Sequence, residues 1–192
     1  QIAAETLLAD MDQFIIAQVD TDISPFDPGS YASSTTYVTG MAVYNAACDL
    51  KNKIIFAGAK MMDPEKYDMP FEKFNPKKFY FDGTRVIEVS GGRSVSIHDI
   101  AIHCSGSYLG NYLNGSGFYS SPTSPPPLMA GFVEIELDKE TGKYEILDYV
   151  GVVDCGTVVN TNLARVQAEG GISQGIGLAM YEDVKYSSQG KM

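Results

Sequence analysis

Apolar residues fall on one helical face at the head of the chain, where Ile2, Ala3, Thr6 and Leu7 line up, so the first residues are expected to form the end of a helix docked on a core. Phe14-Ile15-Ile16-Ala17-Gln18-Val19 is short, apolar and β-rich, and the turn residues Pro25, Pro28 and Gly29 stop it; a strand is expected there. From Tyr37 to Leu50 the residues Val38, Met41, Ala42, Val43, Ala46 and Leu50 keep a helical period that can be followed toward Ala57. The hydroxyl run Ser30-Tyr31-Ala32-Ser33-Ser34-Thr35-Thr36 marks the N-terminus of that helix. Residues 58–78 mix Pro, Met, Lys and Phe without a period and read as an irregular excursion.

Lys78-Phe79-Tyr80-Phe81 and Arg85-Val86-Ile87-Glu88-Val89 flank Asp82-Gly83, a hairpin signal, and Ser96 to Ala101 reads as a short capped helix. Gly106 to Pro127 is rich in Gly, Ser and Pro with interleaved tyrosines, and its length suggests a functional or packed loop. Gly131 to Leu137 alternates apolar and polar, Asp138 to Gly142 turns the chain, and Tyr144 to Val153 supplies the partner strand. A last helix is expected from about Leu163 to Met180, carrying Gly170, Gly171, Gly175 and Gly177. Strand and helix runs are mixed irregularly, which makes the fold class α+β, mixed sheet hairpins with packed helices. The organisation has three parts: 1–57 as helix, strand and helix, 58–128 as excursion and hairpin, and 129–192 as hairpin plus Gly/Gln-rich helix.

Of the 192 residues 44% are hydrophobic and 20% charged, a globular composition rather than a disordered one. No apolar run approaches the roughly 20 residues that cross a bilayer as a helix, so a membrane protein is not expected. The net charge of −10, with the bases scattered, argues against nucleic acid as a partner. Any anionic ligand must then be held by backbone N–H groups and hydroxyls. Cys48, Cys104 and Cys155 are odd in number and widely spaced, which gives no metal or iron–sulfur motif and fits a reducing cytoplasm. There is no initiator Met, and the chain opens in mid-pattern, as a fragment of a longer protein would.

Two places can carry chemistry. The run Ser33-Ser34-Thr35-Thr36 at a helix start offers unpaired N–H groups and neutral hydroxyl donors that suit a phosphate; ordinary helix capping is the competing reading. The last helix carries Gln167, Glu169 and Gln174 among four glycines, each costing about 1 kcal/mol relative to Ala in a helix interior. Close approach of a flat ligand, with a Gln amide at its edge, would offset that; tight helix packing is the alternative. His98 and His103 lack a carboxylate at ligand spacing, and Asp20, Asp22 and Asp27 read as turn caps, so no metal ligand is assigned.

Val19-Asp20-Thr21-Asp22, Gly29 through Gly40, Ala130 through Asp138, Glu140-Thr141-Gly142, Asp154-Cys155-Gly156 and Gln167 through Gly177 occur in an order that resembles the molybdenum-binding subunit of the xanthine dehydrogenase family of molybdenum hydroxylases. The likeness covers Gln1 to Ala47 and Met129 to Tyr186, and is loose between 51 and 128. It implies a molybdenum cofactor-binding domain. The cofactor would be molybdopterin, with or without a cytosine nucleotide, bearing molybdenum.

By that resemblance Ala32 lies beside the molybdenum with its main chain, Ser33 and Thr35 bind the phosphate end, and Gln167 binds the pterin. Ser34 stands where many members carry Arg. The family's Gly-Gln-Gly loop and catalytic glutamate fall outside this chain, and Glu169 and Glu182 do not match the latter, so no catalytic residue is assigned. The resemblance further implies hydroxylation of an N-heterocycle or aldehyde with oxygen from water, and iron–sulfur and FAD centres on other domains or subunits. The piece alone is expected to be inactive. The rival readings are a non-catalytic ligand-binding or subunit-docking module that keeps the scaffold, and a free-standing phosphate binder using Ser33 to Thr36.

Overall fold

A computed structural model describes residues 1–106 and 113–192. The chain divides into two compact units, Gln1–Ser124 and Pro125–Met192.

The first unit is built around α2, which follows a short α1 (Ile2–Leu7) and spans Thr35–Met62, well past the end expected from periodicity. Beyond Leu50 the helix buries Ile54, Ile55, Phe56, Gly58 and Ala59 on several sides, which erases the one-sided pattern that marks an amphipathic helix. Against it lies an antiparallel sheet of β1 (Phe79–Phe81), β2 (Arg85–Glu88) and β3 (Ser94–Ser96), in that order. Its β1–β2 turn is the one the sequence marks: the Asp82 carboxylate accepts from the N–H groups of Thr84 and Arg85 at 2.8 and 2.7 Å, and Gly83 takes a φ of +97°. Next comes α3 (Ile97–Gly106), capped as expected, with Asp99 N–H donating to Ser96 Oγ and Ser96 Oγ–H returning to the Asp99 carboxylate. Val86 and Ile100 are fully buried at the centre of this core.

Two expectations are corrected. Residues 58–62 are helix, and Tyr67 and Phe74 behind them enter the core from short turns: Tyr67 meets Phe74 and Phe79 edge-on, and Phe74 meets Phe56 at a tilt. Phe14 to Val19 forms no strand. β-branched residues favour a strand only when a neighbouring strand takes their backbone groups and a packed face takes their side chains. No described strand pairs with this segment, and Ile15 and Ile16 are 96% and 95% exposed. The Gly106 to Pro127 loop is described from residue 113 onward and is packed along α2; its residues 107–112 lie outside the described part.

In the second unit β4 (Leu128–Leu137) and β5 (Tyr144–Asp154) form the expected antiparallel hairpin, paired from Leu128↔Asp154 to Leu137↔Tyr144 with a register shift at Glu134/Ile135. Asp138 closes the turn by accepting from the Thr141 hydroxyl and the Glu140 N–H. The expected last helix is α4 (Thr161–Met180), capped by Asn160, whose side chain accepts from Leu163 N–H at 3.0 Å. It rests on β5, and Ala164, Ala168, Ile172 and Ile176, all half-buried, recur along it at four-residue spacing. Ile172 is the close contact, since a Cβ on Gly151 would stand 2.8 Å from its Cδ1.

Candidate functional site

At the start of α2 the backbone does something that side-chain capping does not require. Ala32 and Ser33 are consecutive non-glycine residues with φ of +53° and +59°, the left-handed region. Such a residue costs on the order of 1–2 kcal/mol each, and pairs of them recur where a backbone is shaped for a ligand. Ser34 then returns to the right-handed region (φ −74°, ψ −2°), with its N–H donating to the Tyr31 carbonyl at 3.1 Å. Ser34 is the N-cap residue and makes no side-chain cap hydrogen bond. Ordinary capping therefore does not account for the hydroxyl cluster. The N–H groups of the first helical turn, from Thr35 on, have no partner within the helix, and Ala32, Ser33 and Thr35 are all exposed.

The second place is the flank of α4 beside the half-buried series from Ala164 to Ile176. Gln167 is exposed there, and at Gly170, Gly171 and Gly175 an added Cβ would meet nothing within 4 Å. Tight packing within the described residues thus does not explain these three glycines. What they leave is a smooth backbone face with carboxamides at 167 and 174 on it, suited to a flat ring whose edge needs both donor and acceptor. Glu169 is engaged elsewhere, accepting from Arg165 Nε at 2.6 Å one turn back.

Ala32, Ser33 and Thr35 thus stand together within one turn of the first unit, and Gln167 stands on α4 of the second. Sequence reasoning missed what surrounds the first place. Asp27 receives Gly29 N–H at 2.8 Å and holds the turn ahead of Tyr31. The Tyr37 hydroxyl meets Ser121 Oγ at 2.6 Å, and its ring meets that of Tyr119 edge-on at 6.1 Å between centroids. Only the tyrosines scattered through the Gly/Ser-rich loop hinted at this. Among the described residues no three His, Cys, Asp or Glu side chains are grouped to hold a metal ion, and no helix is long and apolar enough to cross a membrane.

The donor set is neutral hydroxyls and main-chain N–H on an acidic chain, which fits a phosphate ester, and the glycine face fits a planar heterocycle. An α+β fold with these two features has the make-up of a domain that grips an organic cofactor. The chain belongs to the Molybdopterin cofactor-binding domain family, which it matches over residues 1–192. It is 33% identical over 191 residues to the probable hypoxanthine oxidase XdhD of Escherichia coli, covering 99% of this chain and 19% of that protein. To the xanthine dehydrogenase molybdenum-binding subunit of Escherichia coli O157:H7 it is 31% identical over 186 residues, covering 96% of this chain and 24% of the subunit. The fold is that found in CO dehydrogenase from Oligotropha carboxidovorans, with a TM-score of 0.80 at 24% identity over 99% of this chain and 23% of that one. The chain spans about a fifth to a quarter of the length of these relatives.

Proposed function

We propose that this chain supplies part of the grip on a molybdopterin cofactor in an oxidoreductase of the xanthine dehydrogenase kind. Ala32 presents its main chain beside the metal, Ser33 and Thr35 donate to the phosphate end, and Gln167 bonds the edge of the pterin. The observation that carries this reading is the left-handed pair Ala32-Ser33 ahead of a helix start whose N-cap residue Ser34 makes no side-chain cap hydrogen bond. Membership of the family and the relatives above give the ligand its class.

When bound, the molybdenum cofactor supplies two-electron chemistry that moves an oxygen from water to an electron-poor carbon. The substrate class we propose is an N-heterocycle or aldehyde, with electrons passing to iron–sulfur and FAD centres on other domains or subunits. The residues of this chain bind and orient. The first turn of α2 offers a partial positive charge and fixed N–H groups, so an anion is accepted on a chain of net charge −10 without a basic side chain. Ser34 leaves that balance to backbone and hydroxyl donors. The same donors serve a cofactor with or without a cytosine nucleotide. All three cysteines are free thiols, which suits the cytoplasm.

The test is pterin content after denaturation of the protein as isolated from its host, read by the fluorescence of the oxidised pterin. Ser33→Ala and Gln167→Ala are each expected to lower cofactor retention by about 10-fold, the loss of one hydrogen bond of about 1.4 kcal/mol. Full retention in both variants would remove these residues from the site.

A further inference from the structure

Residues 113–123 run along α2 in the opposite direction, and the fit is one of matching repeats. Lys53 Nζ donates to the Asn114 carbonyl at 3.1 Å, Ser116 N–H donates to the Asp49 carboxylate at 3.0 Å, and Asn45 Nδ2 donates to the Phe118 carbonyl at 2.9 Å. The helix partners recur every fourth residue and the strap partners every second. Four helical residues rise about 6 Å and two extended residues advance about 6.6 Å, so the two repeats stay in step. Tyr37 lies on the same four-residue series as Asn45, Asp49 and Lys53, and there the strap delivers Ser121 and Tyr119.

Glycine permits the contact. A Cβ on Gly117 would run into the Ala42 carbonyl and the Ala46 backbone, and one on Gly115 would run into the Ala46 carbonyl. Asp49 is the central clasp, accepting from both Lys53 Nζ at 2.8 Å and the Ser116 N–H, and these contacts hold its carboxyl below the usual range.

At the far end the hydroxyl protons can be ordered. Ser121 Oγ–H donates to the Thr123 carbonyl, and a hydroxyl has one proton, so Ser121 must accept from Tyr37. The Tyr37 proton is thereby committed to the strap, and its hydroxyl has no donor left for a ligand. Its ring, however, is fixed. A long side chain in the first turn of a helix lies back over the turn that precedes it, which here holds Ser33 and Ser34.

We propose that Tyr37 is a positioning residue of the cofactor site: the strap 113–123 pins its ring as a wall beside the anion seat at the start of α2. This rests on the cofactor reading given above. The wall fixes the side from which the anionic end of the cofactor enters and slows its departure.

The test uses the cofactor-loaded protein from its host and follows two readouts, the rate of cofactor release and cleavage of residues 113–123 by a protease. Gly117→Ala is expected to expose the strap to cleavage and to speed release by about 10-fold. Tyr37→Phe keeps the ring but cuts its tether; release is expected to rise about 3-fold or more with cleavage unchanged, a split that a purely structural role would not give. Release at the wild-type rate in Tyr37→Phe overturns the proposal, and so does wild-type release in Gly117→Ala once its strap is cleaved. A wild-type protein that carries no cofactor overturns the cofactor reading instead. Should Gly117→Ala fail to fold, Tyr37→Phe and Asp49→Ala decide the matter with the same two readouts.

Discussion

Gly58, near the C-terminal end of the helical run Thr35–Met62, lies directly against Val86 of the central strand: a Cβ on Gly58 would stand 2.8 Å from Val86 Cβ and 3.0 Å from both of its methyl carbons. Val86 is fully buried, so it has nowhere to retreat. Glycine at this point lets helix and sheet approach to the distance on which the core of the first unit depends.

Gly58→Ala should therefore invert the usual helix rule. Alanine in an exposed helix interior gains about 1 kcal/mol over glycine. Here overpacking is expected to leave a net loss of about 1–3 kcal/mol. Chemical denaturation reads it, and a midpoint equal to or above that of the wild type would show that the contact can relax.

Ala32 tests the strained turn. Ala32→Gly removes the Cβ that the left-handed region penalises and is expected to be neutral to about 1 kcal/mol stabilising. Ala32→Val, β-branched at the same φ, is expected to lose about 1–3 kcal/mol. Equal stability of the two variants would mean that the turn is not held left-handed in solution.

The pH dependence of stability has a definite sign at Glu88. This buried carboxylate is held below its ordinary value of 4.5 by the Arg93 guanidinium, whose Nε donates to it at 2.8 Å. A carboxyl with a depressed folded value contributes stability that is full above the unfolded value and lost as pH falls through the folded one. Denaturation midpoints measured from about pH 6 to about pH 3 should fall below about pH 4.5, and the fall should be shallower in Glu88→Gln. An unchanged acid limb in that variant would place the sensitivity at other depressed carboxylates, such as Asp49, Asp82 and Asp138.

Exposed hydroxyls and carboxylates at turns made much of the fold legible. Asp82, Ser96 and Asp138 each announce a turn or helix start through a hydrogen bond to a residue two or three positions away, and each stands where expected. Burial on all sides hid the rest. The end of α2 at Met62 was invisible because Ile54, Ile55, Phe56 and Ala59 face different neighbours, and the roles of Tyr67 and Phe74 were hidden by turns without a period. Phe14 to Val19 shows the reverse failure, since composition promised a strand where no described backbone offers pairing. At the candidate site the hydroxyl cluster and the Gly/Gln helix could be read directly, but capping and packing could be set aside only once the missing Ser34 cap and the open space at Gly170, Gly171 and Gly175 were seen. The strap across α2 rests on contacts between residues more than 60 positions apart, beyond the reach of any local pattern.

The central claim is that these residues hold a molybdenum-bearing pterin, and the most direct measurement is elemental and pterin analysis of the protein purified from its host grown with molybdate. The expected result is molybdenum and pterin in equal amounts, each close to one per polypeptide in the wild type and both falling together in Ser33→Ala and Gln167→Ala. Wild-type protein purified without either, from cells whose other molybdenum enzymes are loaded, would contradict it.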